Sequence, residues 1–516
     1  MTTPLLEPID QSAWNSVTAR HLLNRAGFGV DHDRAAKLAA MTPTAAVSHL
    51  VDYESFRNNA PEPAFIIAPP DPAEVRRELA ALTEEERRKR ANEYQQEERQ
   101  AVQQLKGWWL ERMLNTERPL EEKMTLFWHG HFATSAQKVR SSHHTYHLNK
   151  VFRSHATGNF KQLTIDVGQS PSMLRYLDNA RSSKKSPNEN WARELMELFT
   201  LGQGQYTEDD IKNSARAFTG WSTDHEKFVY RLDLHDDGEK VFMGRRGKLD
   251  GWDIINIIFE QPAASRFISA KLWTFFAYED PEPDIVEGLA ATLRQSNYHL
   301  KPMLRQLFAS RAFYGDKAMG TQVKSPAQWV VQLVSDLRYD NPPYSAMARA
   351  TQELGQDLFY PPNVKGWDGN RAWVNANTML LRFNIPGMII SAKHRPEDRS
   401  MNYMGQAAMD SLAMRAEQTE MTMQQPNPPD GGVDPDRWDA REFFLSLGFR
   451  TPNECVDKLA RHFLCVPLSG DQREVLLQAL EAPGGPDAPM TRKNVNPRNI
   501  AAVMHLLLST PEYQLC

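Results

Sequence analysis

Residues 187–221, PNENWARELMELFTLGQGQYTEDDIKNSARAFTGW, constrain this chain more than any other stretch. At about 100° per residue, Trp191, Ala192, Leu195, Met196, Leu198 and Phe199 share one side of a helix. Asn190, Arg193, Glu194 and Glu197 fall on the other side. Leu201-Gly202-Gln203-Gly204 ends that helix, and either glycine accepts a left-handed cap. Thr207 with Asp210 is the Asp form of a capping box, opening a second helix striped by Ile211, Ala215 and Phe218. An apolar stripe of this size needs a helical core to cover it. The polar stripe has two readings. It is a solvated face, the usual fate of charged stripes, or Asn188, Glu189, Asn190, Arg193, Glu194 and Glu197 line a polar site.

The rest of the chain divides around this hairpin. Residues 1–60 read as an N-terminal helical segment in which Asp10 or Ser12 caps the first helix. Residues 61–118 combine a proline-rich connector, PEPAFIIAPPDP, with one long charged helix starting at Asp71 or Pro72. Its acids and bases interleave, as expected of a solvated or partner-packed helix with i,i+4 ion pairs. From Leu105 the helix turns amphipathic, and Trp108, Trp109, Leu110, Met113 and Leu114 are expected in the core. Residues 119–390 form a helical core with one β-hairpin at about 228–243, where FVYRLDLHDDGEKVFM alternates around Asp-Asp-Gly. Residues 391–436 read as a polar linker and 437–516 as a C-terminal helical unit. The fold class is therefore mainly α: a large multi-helical protein with one small β-hairpin insertion.

Composition narrows the function classes. At 516 residues the chain exceeds one simple core. The balance of 60 basic and 65 acidic residues gives a net charge of −5 and no concentrated basic face for nucleic acid. No window holds about 18 uninterrupted apolar residues, so no membrane span is expected. Residues 1–29 lack a basic segment followed by an apolar run, so the chain as written is expected to be cytoplasmic. The cysteines Cys455, Cys465 and Cys516 form no zinc or disulfide pattern.

Several blocks together resemble a bacterial family known only as domain of unknown function 1800. They are HLLNRAGFG, FWHGHFATS, YLDN, PNENWARELMELFTLG, YTEDDIKNSARAFTGW, HDDGEKVFMG, KSPAQWVV, PPNVKGWDGNRAWVN and the final LLLSTPEYQL. The resemblance runs in order from about residue 20 to 515. It implies a large helical protein without an established activity. It also implies relatives that look exported and are encoded beside a sulfatase-like protein, the one partner suggested. Some relatives carry His where this chain has Phe199, and the family pattern does not carry His143, His144 or His147.

Four constellations carry chemistry. First, His129, His131, Glu194 and Glu197, with Asp178 or His235, offer a mixed donor set for a divalent metal: zinc, iron or manganese. Glu194 and Glu197 at i,i+3 converge on a hard cation, whereas His129 and His131 converge only if their backbone is extended. His143 and His147 have proper helical ligand spacing. No HExxH motif is present. The competing reading makes His131 a hydrogen-bonded core residue. Second, Glu194 or Glu189 beside His131 forms a metal-free acid–base pair, with Arg193 and Lys240 holding an anion; a buried brace is the alternative. Third, Asp233, Asp236 and Asp237 with Gly238 lack the twelve-residue calcium pattern, so a plain turn is expected. Fourth, Trp367 and Trp373 stack on a sugar or plug a core. Asp178 and Asn188 complete the candidate ligand-binding residues. Two function classes stay open. One is an enzyme, with a metal-assisted hydrolase as its leading version. The other is a non-catalytic binding or scaffold protein serving a co-encoded enzyme.

Overall fold

The computed structural model describes residues 3–29, 32–58, 60–339, 341–391, 443–444, 446–481, 484–490 and 496–516. The linker expected at 391–436 lies outside the described residues from 392 onward. Among the described residues the fold is mainly α-helical with two small antiparallel hairpins. No helix among the described residues is long and apolar enough to cross a membrane. The chain forms two compact units: Met1–Gln332 with Pro343–Trp373 and Cys516, and Leu333–Pro342 with Val374–Leu515.

The larger unit is built around the helix Pro119–His131. Its Leu120, Met124, Phe127 and Trp128 are buried on one side, and Glu121, Glu122, Lys123 and His129 are buried as well. A helix covered all round ordinarily carries apolar residues throughout. Here the charges are tolerated because each has a partner. Glu122, fully buried, accepts from Arg153 Nε at 2.7 Å, from Trp109 Nε1 at 3.0 Å and from Arg112. Lys123 Nζ donates to Gln328 Oε1 at 2.7 Å.

The opening hairpin packs on this core as its periodicity requires. Trp191, Ala192, Leu195, Met196 and Phe199 are buried, while Arg193, Glu194, Glu197 and Leu198 are only partly covered. The helix Glu189–Glu194 continues as a π-helical turn, Leu195–Thr200. Gly202 then takes the left-handed conformation, φ +85°, and the Thr207–Asp210 capping box starts Glu208–Ala217.

Two expectations change. The long charged helix is two helices, Pro72–Ala80 and Glu84–Asn115. Thr83 and Glu86 cap the second reciprocally, and this capping box outweighs the continuous charge pattern. Trp109, Leu110 and Met113 reach the core, but Trp108 stays half-buried and donates its Nε1–H to Pro61 O at 3.0 Å. The single hairpin is replaced by two local ones. Trp221–Asp224 pairs with Lys227–Tyr230, and Lys240–Phe242 with Arg245–Gly247. The second turns at Met243 and Gly244, both with positive φ (47° and 79°), the geometry of a tight hairpin. Asp236-Asp237-Gly238 turns no strand pair. The Asp236 carboxylate is held by Arg216 Nε at 2.7 Å and by Gly238 N–H at 2.9 Å. The alternation ends at Tyr230, and Leu232 is 72% exposed.

The smaller unit contains Ala376–Ser391, Pro452–Phe463, Gly470–Leu480 and Pro497–Ser509. Tyr513 Oη donates to Asp336 Oδ2 at 3.1 Å, and His462 Nε2 lies 2.7 Å from Asp336 O. Residues 374–390, grouped on sequence with the core, pack in this unit.

Candidate functional site

The end of the helix Pro119–His131 meets the π-helical turn and a loop from residues 358–369. Gly366, φ +86°, makes the close approach: a Cβ there would collide with Gly130 O. Only glycine fits that contact. The loop is thereby drawn over the helix end.

His131 is buried among Phe127, Phe132, Phe160 and Phe199, with Nε2 2.9 Å from Phe199 O. A carbonyl oxygen only accepts, so Nε2 carries the hydrogen and Nδ1 presents a lone pair. Burial, then the nearby Lys271 charge, holds this imidazole well below its ordinary pKa. His131 is therefore neutral.

Facing that lone pair is Lys271, on the helix Pro262–Phe276. Its Nζ lies 3.2 Å from Leu198 O and 3.5 Å from His131 Nδ1, and 4.8 Å from the Phe267 ring centre. Among the described residues no carboxylate pairs with it. Burial, reinforced by Lys365, pushes the amine down to about 8. An uncharged amine has two N–H bonds and one lone pair. With its hydrogens directed to Leu198 O and His131 Nδ1, the lone pair is left uncommitted. Leu198, Phe267 and Lys271 all keep partial exposure, and Lys365 is exposed. Sequence reasoning missed Lys271. Its signal was a lone cation inside the apolar run ISAKLWTFFA.

His129 points elsewhere. Its Nε2 accepts the Phe359 N–H at 3.0 Å, and its ring packs on Trp109 and Trp367. Burial pushes it down to about 3. Glu197 accepts from Tyr206 Oη at 3.0 Å and Gln203 Nε2 at 2.8 Å. His235 Nδ1 lies 2.9 Å from Thr219 O. Among the described residues no three His, Cys, Asp or Glu side chains are grouped to hold a metal ion. The set His129, His131, Glu194, Glu197 and His235 is thus not assembled. The helical backbone at 129–131 sends the two imidazoles to different partners, as its geometry dictates. His143 and His147 do share a face, ring centroids 4.2 Å apart, but supply two donors only.

The polar stripe is largely cross-linked. Arg193 donates to both Glu208 oxygens at 3.0 Å and reaches Glu189 at 3.4 Å, tying the two hairpin helices together. Glu194 has no hydrogen-bond or ion-pair partner among the described residues, and burial, then Glu197, raises its carboxyl. Asp178 and Asn188 are brought together: Asn188 Nδ2 donates to Asp178 O at 3.3 Å, and the Asp178 carboxylate pairs with Lys138 at 2.8 Å. Lys240 is buried with its Nζ donating to Asp236 O and to Gly238 O at 3.1 Å, so it is spent inside its own loop. Trp373 is buried beside Gly355, while Trp367 keeps part of its ring exposed.

No curated protein and no solved structure matches the chain. One family model does, described as protein of unknown function DUF1800, and it covers residues 21–515. The sequence blocks, the mainly helical fold and this nearly full-length match agree: the chain belongs to the DUF1800 family.

Proposed function

We propose that the protein is an enzyme performing metal-independent acid–base chemistry on a small anionic substrate, with Lys271 as the proton acceptor. One observation carries the reading: Lys271 Nζ is anchored by Leu198 O and His131 Nδ1 and has no carboxylate partner among the described residues. Buried lysines of this kind supply a base near neutral pH. His131 positions the amine, because its Nε2–H is fixed on Phe199 O. Lys365 stands at the rim, exposed and paired with Asp368 at 2.9 Å, and the anionic group would have to displace that carboxylate. The anchoring carbonyl belongs to a π-helical turn, a distortion frequent at functional sites. The metal-assisted version asks for one shared donor set, and the contacts of the candidate ligands divide it.

The test is hydrolysis of 4-nitrophenyl phosphate, 4-nitrophenyl sulfate and the 4-nitrophenyl monoester of succinate. At least one ester is expected to turn over, with kcat/KM rising around pH 8. Lys271→Met is expected to lower kcat about 100-fold or more, and EDTA to leave it unchanged. Turnover that survives Lys271→Met but not EDTA returns the metal-assisted version.

A non-catalytic protein serving a co-encoded sulfatase-like enzyme is the second reading. The Arg193–Glu208 cross-link favours it, since a stripe consumed in bracing leaves less for catalysis. No turnover of any ester, with a stable partner recovered from the native source, would support it.

A further inference from the structure

A cavity of about 410 Å³ lies elsewhere in the larger unit, lined from the helix Gly251–Glu260, the strand Arg245–Gly247, Lys161 and the turn at Asn297-Tyr298. Its volume is that of an ordinary small-molecule site. Its two acids are already committed. Glu260 pairs with Arg245, and Asp253 accepts the Asp250 N–H at 3.1 Å. Lys161, Asn256 and Asn297 are uncommitted: among the described residues none of these side chains has a hydrogen-bond or ion-pair partner. What the cavity offers a ligand is therefore one cation and two carboxamides, above an apolar floor of Ile257, Phe259 and Tyr298, each 5% exposed or less.

The wall carrying Asn297 is also held in a costly shape. Asn297 and Tyr298 both have positive φ, 49° and 64°. Consecutive left-handed residues without glycine are strained and persist only when their surroundings fix them. Here Tyr298 N–H donates to Leu293 O at 2.8 Å, Phe160 N–H to Tyr298 O at 2.9 Å, and Asn159 Nδ2 to Asn297 O at 2.7 Å. The turn is locked before any ligand arrives, which lowers the ordering cost of binding.

We infer that this cavity is a binding site for a small polyhydroxylated anion, a sugar phosphate or sugar acid. Lys161 takes the anionic group. Asn256 and Asn297 each donate and accept, which matches hydroxyls that do both. The tyrosine ring and aliphatic floor pack against the C–H face of the ring. The Arg245–Glu260 pair stands at the wall without claiming the anion, because each charge is neutralised by the other.

Titration calorimetry of the full chain with glucose 6-phosphate, glucuronate, glucose and inorganic phosphate tests this. At least one anionic sugar is expected to bind with Kd below about 1 mM. Which one binds more tightly distinguishes phosphate from carboxylate. Lys161→Met is expected to weaken it about tenfold or more. Asn297→Gly relieves the backbone while removing the amide, so it keeps the fold and still weakens binding. Lys271→Met leaves this affinity unchanged, separating the cavity from the lysine site. No binding of either anionic sugar overturns the inference. Glucose or inorganic phosphate binding as tightly as the anionic sugars overturns it too, as does wild-type affinity in both cavity variants.

Discussion

A Glu122→Gln variant is expected to unfold with about 3–5 kcal/mol less stability than the wild type. Glu122 is fully buried and is shared by Arg112, Arg153 and Trp109. Burial pushes its carboxyl up, but Arg153 and Arg112 outweigh burial and hold it below the usual range, so it is charged. Glutamine keeps the shape and loses the charge. Two guanidiniums would then remain inside the protein with neutral acceptors in Asn58 and Asn149, each at 2.8 Å, and Glu121, 3.5 Å from Arg112 Nη2, as the one remaining carboxylate paired with them among the described residues. Removing one partner of a buried pair costs far more than the intact pair contributes, because the survivors cannot be resolvated. Urea denaturation measures this as a lower midpoint at unchanged slope. Glu208→Gln, which removes the exposed partner of Arg193, is the control and leaves the midpoint in place. A Glu122→Gln midpoint equal to that control contradicts the brace.

Acid is expected to loosen the same core through its histidines. His129 and His131 are held below 6.5 when folded, His129 at about 3, and both return to about 6.5 when unfolded. Between pH 6.5 and 3 the unfolded chain therefore binds protons that the folded chain refuses. The neutral-histidine contribution is complete above pH 6.5 and is lost as pH falls toward the folded value. His129 costs about 1.4 kcal/mol per pH unit in that window, and His131 acts in the same direction. At pH 5 that is about 2 kcal/mol for His129 alone. His129→Gln keeps an acceptor for the Phe359 N–H and does not titrate. From pH 7 to pH 5 the wild type is expected to lose about 2 kcal/mol more than His129→Gln. Comparing the two cancels other groups, including Glu121, whose carboxyl burial raises. Equal losses in both proteins would show that His129 charges freely in the folded state.

The helical hairpin was legible because its determinants are local. Apolar spacing, the Gly202 cap and the Thr207–Asp210 box all lie within a few residues of what they control. The break before Glu84 was equally local, in Thr83 and Glu86, and was hidden only by the longer charge pattern around it. The two hairpins were misread because Asp-Asp-Gly is a stronger turn signal than His-Glu or Met-Gly. Side-chain pairing over distance was not legible. Arg153 reaches Glu122 across 31 positions, and Lys271 reaches His131 across 140. Nothing in the spacing of Arg193 said that its partner would be Glu208 on the next helix. The candidate site moved for the same reason. Sequence assigned roles by residue type, and packing decided that His129 and Lys240 would be spent on backbone groups while Lys271 was buried with no carboxylate partner among the described residues.

The most direct test is the protonation of Lys271 itself, read from the pH dependence of its trinitrophenylation by peptide mass spectrometry. Half-maximal reactivity at Lys271 is expected near pH 8, and at lower pH still when His131→Phe removes the Nδ1 acceptor that favours the ammonium. Titration of Lys271 with the exposed lysines, above about pH 10, would contradict the assignment of its amine as the base.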